Sequence, residues 1–248
     1  MTAIDLNADV GEMDAALDAR ILEIVSSVSV ACGGHAGDDA SMRRVTAAAA
    51  GRDVRIGAHP SFVDRQGFGR TRHDVPLAVL RSQLRDQILR LADNSPRLPA
   101  YVKPHGALYH AAGQEPDLAT TLLEAVTEAG ERLGAALSVM GQHDAHYVLR
   151  AAEFGLSTIR EGFADRAYSD DGRLVPRTAP DAVLTDEAAV LRQVTQLARG
   201  TVTTVNGAVI QVSAESLCLH SDTPGAADLA VRIGRLLADE GIVVRAYP

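Results

Sequence analysis

Short apolar runs alternate with longer amphipathic stretches from one end of the chain to the other. Between residues 76 and 93, for example, leucine or isoleucine recurs every three or four positions, which is the pattern of a helix with one buried face. The predicted strands are 2–7, 28–32, 54–58, 100–103, 136–140, 156–160 and 216–220, and the predicted helices are 14–26, 39–51, 76–93, 116–132, 144–154, 185–199 and 225–240.

Strands that alternate with helices over 248 residues predict a single α/β domain, residues 1–248, built as a closed β/α barrel. An open, doubly wound sheet is the alternative. Two segments depart from the alternation. Residues 201–212 predict a β-hairpin that turns at Asn206-Gly207, and the polar segment 161–184 has the length of a functional loop.

Composition and charge exclude several classes of protein. Apolar residues make up 46% of the chain and charged residues 23%, which is enough for a large core. The net charge of −8 argues against a nucleic-acid-binding surface, and no apolar run is long enough to span a membrane. The two cysteines, Cys32 and Cys218, are too few for a disulfide framework and are predicted to be packing residues. These features predict a soluble, cytoplasmic protein.

Polar side chains collect where the predicted strands end, which is the edge of a β/α barrel that carries active sites. This edge holds four of the eight histidines, a fifth (His143) at the less clear end of the fifth strand, and Lys103, the single lysine among 24 lysines and arginines. A lone lysine in such a chain suggests a position that a planar guanidinium cannot fill. From the first strand to the seventh, the candidates are Asp5, Asn7, Asp9, Glu12, Cys32, His35, His59, Lys103, His105, Gln142, His143, Glu161, Asp165, Arg166, His220 and Asp222.

These groups also have ordinary structural explanations. Asp5, Asn7 and Asp9 share one face of a strand; inside a barrel, such carboxylates need a partner, which could be a metal, a substrate or Lys103. A single histidine at a strand end is more often a structural hydrogen-bonding group than a ligand or a base. Several together favour function.

Three loops have features of binding segments. The glycines of ACGGHAGDD (31–39) leave backbone N–H groups open to an anion, although glycine turns are common. Arg70 and Arg72 lie on a glycine-flanked loop suited to clamping a carboxylate or a phosphate. Segment 161–177 mixes both charges with aromatic residues, as a substrate-covering loop would. The chain contains no P-loop and no GxSxG, HExxH or CxxC motif.

Several motifs, in this order, resemble those of the LamB/YcsF family, and the resemblance covers nearly the whole chain. Some positions depart from the usual family motifs: Gly34 and Asp39 stand where the family has Phe and Pro, and Ser221 stands where it has Gly. Met13-Asp14-Ala15 also follow the first motif, where the family often has glycine and aromatic residues. The motifs are DLNADVGE (5–12), ACGGHAGD (31–38), IGAHPSFVD with GFGR (56–70), VKPHGALYH (102–110), EGFADRAYSDDGRLVPR (161–177) and LCLHSDTPGA (217–226).

Members of this family form the A subunit of prokaryotic 5-oxoprolinase. The resemblance implies a distorted (β/α)7-type barrel similar to the glycoside hydrolase/deacetylase superfamily. It also implies ATP-dependent opening of 5-oxo-L-proline to L-glutamate, with Mg²⁺ carried by the ATP and with two partners, the B and C subunits. Because the chain lacks a P-loop, the identity of the ATP-binding subunit stays open, as does the presence of a fixed metal.

Phosphorylation of the amide oxygen would make the unreactive lactam open to water, and such a site needs cations for the anionic groups and a base. We predict that Lys103 and Arg70 bind phosphate and the substrate carboxylate, and that His59 or His105 is the base. Asp9 or Glu12 would orient the base or hold a metal. The predicted catalytic residues are Asp9, His59, Lys103 and His105, and the predicted substrate-binding residues are Asn7, Glu12, His35, Arg70, Glu161, Asp165, Arg166, His220 and Asp222.

Two other functions stay open on sequence grounds. One is a stand-alone hydrolase in which strand-end Asp and His residues hold a divalent metal that activates water. The other is a non-catalytic subunit that binds the substrate for its partners, because fold by itself does not determine function.

Overall fold

The structure is a computed structural model that describes residues 3–177, 179–220 and 225–247. The strands in these residues are β1 (Ala3–Val10), β2 (Ser27–Ala31), β3 (Arg55–His59), β4 (Tyr101–Val102), β5 (Ser138–Gly141), β6 (Ser157–Phe163), β7 (Thr201–Thr203), β8 (Val209–Gln211), β9 (Ser216–Leu219) and β10 (Val243–Val244). The α-helices are α1 (Ala15–Ile21), α2 (Asp39–Ala50), α3 (Leu77–Asp93), α4 (Gly106–Gln114), α5 (Pro116–Leu133), α6 (His146–Arg150), α7 (Glu187–Ala198) and α8 (Ala226–Asp239).

Seven parallel strands of the described chain close into a barrel. They pair in the order β1-β2-β3-β4-β5-β6-β9, and β9 pairs again with β1, where Asn7 lies opposite Cys218. This closure confirms the predicted (β/α)7-type barrel and excludes the open sheet. β10 pairs with the first residues of β1 outside the ring. β7 and β8 form the predicted hairpin, whose turn contains Asn206-Gly207.

The alternation along β1 explains how the sequence builds both faces of the barrel wall. Leu6 and Ala8 belong to the apolar core that the strands share with the surrounding helices. Asp5, Asn7 and Asp9 alternate with them and therefore lie on the interior face, where all three are buried. The interior of this barrel is thus partly polar, and its carboxylates must find partners there.

A small apolar cluster fills part of the barrel interior. Tyr101, Met140 and Ile159 form a small buried cluster of their own. The Tyr101 ring lies directly over Gly57, where an added Cβ atom would come within 2.2 Å of a ring carbon. Only glycine fits at this point of β3. Asp5 and buried serine hydroxyls also lie toward this end of the interior, so the packing there is mixed.

Several predicted boundaries are wrong. The first helix ends at Ile21 rather than 26, and the helix predicted over 144–154 divides into α6 and a 3₁₀ turn over Ala151–Phe154. Two elements lay outside the prediction, β10 and α4. α4 is short and glycine-containing, and Pro116 at the first turn of α5 separates the two helices after a single residue, Glu115.

The described residues of the long segment after the sixth strand lie at the barrel mouth. β6 continues to Phe163, beyond its predicted end, and the segment then folds back through two isolated bridges, Arg166 with Val183 and Tyr168 with Leu174. None of the described helices has both the length and the apolar character needed to cross a membrane.

Candidate functional site

A cavity of about 440 Å³ opens where the C-terminal ends of the barrel strands meet. This volume lies within the range of small-molecule sites. All four predicted catalytic residues line it, together with the predicted binding residues Glu12, Arg70, Arg166 and His220. The remaining lining residues are Pro104, Gly106, Ala107, Tyr109, His110, Gln114, Phe163, Leu174, Pro176 and Arg177.

Lys103 is buried at the base of the cavity among groups of the barrel interior, with only 2% of its surface exposed. Its Nζ atom donates to Asn7 Oδ1 (3.0 Å), Glu161 Oε1 (2.9 Å) and Cys218 Sγ (3.4 Å). Asp9 Oδ1 lies 2.7 Å from the same nitrogen. This contact is an ion pair, but its angles do not fit a hydrogen bond. The ammonium is therefore surrounded by protein acceptors, in keeping with its predicted alternative role as the partner of a buried carboxylate.

The charges around Lys103 hold one another in the ionised form. Burial on its own disfavours both charged groups, but His59 and Lys103 together lower the pKa of Asp9 well below its ordinary value. In return, Asp9, Cys218 and Glu161 outweigh the burial of Lys103 and raise its pKa well above the ordinary value. The lysine thus stays charged throughout the physiological range.

Two imidazoles meet beside this ion pair, and backbone carbonyls determine where their protons lie. His59 Nδ1 lies 2.7 Å from the carbonyl oxygen of Lys103, and His105 Nε2 lies 2.9 Å from that of Phe68. Because a carbonyl only accepts, each of these nitrogens carries a proton. The other nitrogens, His59 Nε2 and His105 Nδ1, face each other at 3.0 Å. Glu12 Oε1 lies 3.7 and 3.3 Å from them.

His35 supports this group from one side. Its ring stacks on that of His105, with centroids 3.7 Å apart and planes 4° from parallel. Its Nε2 atom lies 2.8 Å from Glu12 Oε1, and Ser61 Oγ lies 3.1 Å from its Nδ1 atom. Burial, followed by the nearby His59, lowers the pKa of His35 to about 2. A neutral ring that donates from Nε2 to the Glu12 carboxylate fits these contacts.

A tight loop between β3 and α3 holds the imidazoles in place. Phe68 and Gly69 both adopt positive φ angles, of 54° and 66°. The resulting turn aims the Phe68 carbonyl at His105, while the carbonyl of Gly69 accepts from the N–H of Ala107 in the first turn of α4. A Cβ atom at Gly69 would come within 2.8 Å of both His35 and His105. The loop therefore depends on glycine for its close approach to the histidines.

A third oriented histidine, His220, lines the cavity. His220 Nδ1 is 2.8 Å from Asp165 Oδ1, and Asp165 is fully buried. The His220 ring also stacks on Phe163, with centroids 5.4 Å apart. A carboxylate that accepts from Nδ1 leaves Nε2 as the acceptor of this imidazole.

Two further arginines on the covering segment line the cavity. Arg166, which is buried, donates from Nε to Ala182 O (3.2 Å) and from Nη2 to Val175 O (2.6 Å). Burial and the nearby Arg177 lower the pKa of Arg166 to about 10, which leaves it charged at neutral pH. Through these contacts Arg166 stabilises the covering segment, in addition to its predicted role in substrate binding.

The two arginines of the glycine-flanked loop separate in the structure. Arg70 lines the cavity, with its guanidinium 5.1 Å from the centroid of the Phe68 ring. Arg72 points away and pairs with Glu115 at the surface. Of the predicted clamp, only Arg70 is positioned at the cavity.

Other predicted positions lie away from the cavity or below it. Asn7 and Glu161 belong to the Lys103 network beneath it. Asp5 lies deeper still and accepts from serine hydroxyls, including Ser27 Oγ at 2.7 Å. Neither Gln142 nor His143, after the fifth strand, reaches the cavity lining. Asp222 falls outside the described residues.

Three residues that the sequence did not single out for the site contribute to it. Tyr109 donates to Glu161 Oε2 at 3.1 Å, and Cys218, predicted to be a packing residue, contacts Lys103 as well. His110, which lines the cavity, has its pKa lowered to about 4 by burial and then by Arg166. The helical spacing of Tyr109 and His110 after His105 was the available signal, and it required the unpredicted α4.

The departures at Gly34 and Asp39 have local explanations. Gln87 of α3 accepts from Ser61 N (3.0 Å) and donates to Ser61 O (2.9 Å). A Cβ atom at Gly34 would come within 2.4 Å of Gln87 Oε1, so glycine makes room for this amide. Asp39 pairs with Arg90 Nε at 2.7 Å, which links α2 to α3. Ser221 lies outside the described residues.

The chain is similar to known proteins over nearly its full length. Residues 4–248 match the LamB/YcsF family. A Streptomyces coelicolor protein named as the A subunit of 5-oxoprolinase is 44% identical over 253 aligned residues, which cover 98% of this chain and 99% of that protein. The crystal structure of a lactam utilization protein from Thermus thermophilus superposes with a TM-score of 0.88 at 32% identity, covering 99% of this chain and 100% of that one.

A more distant likeness concerns the fold alone. A family 4 carbohydrate esterase from Streptomyces lividans gives a TM-score of 0.52 at 12% identity, covering 98% of this chain and 91% of that one. This likeness agrees with the predicted barrel fold. The chain belongs to the LamB/YcsF family.

Proposed function

We propose that this LamB/YcsF protein is the A subunit of an ATP-dependent 5-oxoprolinase, which hydrolyses 5-oxo-L-proline to L-glutamate while ATP is cleaved to ADP and phosphate. The observation that carries the proposal is the 44% identity, over nearly the full length of both chains, to a protein named as the A subunit of 5-oxoprolinase. The name of the Thermus thermophilus structure, a lactam utilization protein, supports the same class of substrate.

The cavity has the chemistry that a small anionic lactam needs. Phe163, Leu174 and Pro176 give it an apolar side for the ring. Arg70 and Arg177 place positive charge on the wall, where the substrate carboxylate or a phosphate would bind. Its floor carries carboxylates and imidazoles at hydrogen-bonding distance from one another, which suits proton transfer.

The proposed reaction activates the amide before water attacks it. The lactam oxygen attacks the γ-phosphorus of ATP, and ADP leaves. Water then adds to the ring carbon and gives up a proton to a base, the C–N bond breaks as the nitrogen takes a proton, and γ-glutamyl phosphate forms. A second water releases phosphate and leaves L-glutamate. Each addition of water needs a positioned base, and Mg²⁺ would accompany the nucleotide.

The residues present supply candidates for each task. His59, His105 and His220 each have one ring nitrogen held by a backbone carbonyl or a carboxylate, which orients the other nitrogen for proton transfer. Arg70 is the proposed carboxylate clamp. Lys103 stabilises the ionised Asp9 and keeps the cavity floor rigid, rather than contacting phosphate directly, because protein acceptors already surround its ammonium.

The word "subunit" in the relatives' name supports partner proteins, and we propose that B and C subunits complete the enzyme and share the nucleotide site. The test is reconstitution. This chain with both partners, 5-oxoproline and ATP should form glutamate and ADP in equal amounts, and this chain alone should form almost none. ATP-independent turnover by the single chain would overturn the proposal in favour of a stand-alone hydrolase. Full activity in the complex of every cavity variant would favour a purely substrate-binding role.

A further inference from the structure

We propose that Glu12, His59 and His105 form a site for one divalent transition-metal ion, with Zn²⁺ the best fit. The proposal extends the proposed function, because this site lies on the wall of the same cavity. It rests on three independent features of the cluster: where the protons are, how far apart the ligand atoms lie, and how the rings are oriented.

The backbone directs one nitrogen of each imidazole toward the other. His59 and His105 each donate one ring N–H to a backbone carbonyl, so His59 Nε2 and His105 Nδ1, which lie 3.0 Å apart in a hydrogen bond, are the nitrogens that can bind a metal. Glu12 Oε1 lies 3.3 Å from His105 Nδ1, and Asp9 Oδ2 lies 3.4 Å from His59 Nε2. Four potential ligand atoms thus converge, and a metal ion would take the place of the proton that bridges the two imidazoles.

The distances match a metal coordination triangle. With metal–ligand bonds of about 2.0–2.1 Å, two ligand atoms of a tetrahedral zinc site lie about 3.3 Å apart. The three sides of the triangle formed by His59 Nε2, His105 Nδ1 and Glu12 Oε1 are 3.0, 3.3 and 3.7 Å. These values bracket the ideal, so the ligands could close on an ion with movements of a few tenths of an ångström.

Ring orientation selects these ligands and excludes His35. The planes of His59 and His105 are 85° apart, so one ion can lie in both planes. The planes of His35 and His105 are nearly parallel and 3.7 Å apart, and a single ion cannot lie in both. His35 instead contacts Glu12 Oε1 at 2.8 Å, as a residue that orients a ligand does. The carbonyl bonds of His59 and His105 have the same orienting role.

The neighbouring group of Asp9, Cys218 and His220 is a different case. Their ligand atoms also lie near one another. However, Lys103 Nζ lies 2.7 Å from Asp9 Oδ1 and 3.4 Å from Cys218 Sγ, so an ammonium already supplies the positive charge there. The metal site is therefore assigned to the Glu12 cluster.

Two imidazoles and one carboxylate favour zinc and its transition-metal neighbours over Mg²⁺, which prefers oxygen ligands. The site is thus distinct from any magnesium carried by ATP. With three protein ligands, one coordination position faces the cavity, and an ion there supplies a Lewis acid for a carbonyl oxygen or a water molecule.

The direct test is metal binding by the full chain, without partners or substrate. After chelation and dialysis, titration with CoCl2 should give one equivalent of bound ion with the visible absorption of a low-coordinate cobalt site. ZnCl2 should displace the cobalt, whereas MgCl2 at the same concentration should not. The absence of stoichiometric cobalt binding by the wild-type chain overturns the proposal.

Variants locate the ion. Glu12→Gln and His105→Asn should each weaken cobalt binding at least ~100-fold, beyond the ~10–100-fold typical for loss of an orienting group. His110→Asn, which changes another imidazole of the same cavity, should leave binding unchanged. Circular dichroism checks that each variant is folded. The assignment is overturned if folded Glu12→Gln and His105→Asn bind cobalt as tightly as the wild type does.

The metal site and the proposed function can fail separately. Glutamate formation by a reconstituted complex whose LamB/YcsF chain binds no cobalt would overturn the metal site and support the function. Stoichiometric cobalt binding without any ATP-dependent glutamate formation would support the metal site and overturn the proposed function.

Discussion

Replacement of Lys103 tests whether the charge network under the cavity is required. Nζ lies within 3.0 Å of oxygen atoms of Asn7, Asp9 and Glu161, and 3.4 Å from Cys218 Sγ. Lys103→Met keeps the length of the side chain but removes the charge. It leaves two buried carboxylates without a counter-charge, and breaking such a pair costs about 3–5 kcal/mol. At roughly 2–4 °C per kcal/mol for a chain of this size, the midpoint of thermal unfolding should fall by roughly 6–20 °C.

Lys103→Arg separates charge from shape. The charge is kept, but the planar guanidinium is larger than the ammonium and needs room that the surrounding acceptors do not leave. Overpacking of this kind typically costs about 1–3 kcal/mol. We expect Lys103→Arg to remain folded, to melt between the wild type and Lys103→Met, and to lose most glutamate formation in the reconstituted complex.

A double variant and a surface control make the comparison specific. Adding Glu161→Gln to Lys103→Met removes one of the stranded carboxylates and should recover part of the lost stability, which a double-mutant cycle measures. Arg72→Lys, in an exposed ion pair with Glu115, should change stability by less than about 0.5 kcal/mol. An active Lys103→Arg enzyme with a wild-type melting temperature would refute the reasoning, since it would show that the position tolerates any cation.

Three further outcomes follow from the site. His59→Asn and His105→Asn should each lower kcat/KM of the reconstituted enzyme by about 10²-fold or more, the scale for positioned acid–base groups, and near-normal rates in both would remove the case for a convergent site. His35 has a pKa of about 2 in the folded chain and an ordinary value of 6.5, so the unfolded chain binds more protons between these values and stability should fall with falling pH. Urea unfolding measures this effect between pH 6 and 4. As the pH falls, the free energy of unfolding of His35→Asn should decrease less steeply than that of the wild type, by up to about 1.4 kcal/mol per pH unit. Equal slopes would contradict the assignment. Gly34→Phe should displace Gln87 and lower the free energy of unfolding by about 1–3 kcal/mol, as measured by thermal melts. Adding Gln87→Ala should recover much of this loss. No recovery would show that the two side chains do not compete.

The barrel and the location of the site were predictable because both depend on periodicity. Alternating strands and helices define the order of the elements, and polar residues at strand ends then share one edge. The alternation of Asp5, Asn7 and Asp9 even indicated an interior face that needs a cation, and Lys103 lies there. Element boundaries were weaker. α4 escaped prediction because its nine residues include two glycines and lie directly before the proline that begins α5.

The chemistry of the individual groups was not predictable, because it depends on atoms that no motif encodes. The protons of His59 and His105 are placed by the carbonyls of Lys103 and Phe68, and the latter is aimed by the positive φ angle of Phe68 itself. Likewise, Cys218 contacts Lys103 only because β9 closes the barrel against β1. Such facts follow from the closed fold and not from spacing along the chain.

The two halves of the cavity floor differ in how their charge is balanced, and this difference separates support from reactivity. Around Lys103, an ammonium meets Asp9 and Glu161 at 2.7 and 2.9 Å, so the charges there are paired and their geometry is held. Around Glu12, by contrast, one carboxylate oxygen lies 3.7 and 3.3 Å from His59 Nε2 and His105 Nδ1, and these two nitrogens share a hydrogen bond of 3.0 Å. A proton in such a group can pass from one partner to the next, as acid–base chemistry requires. The reacting groups should therefore be sought around Glu12, with the Lys103 network holding the floor beneath them.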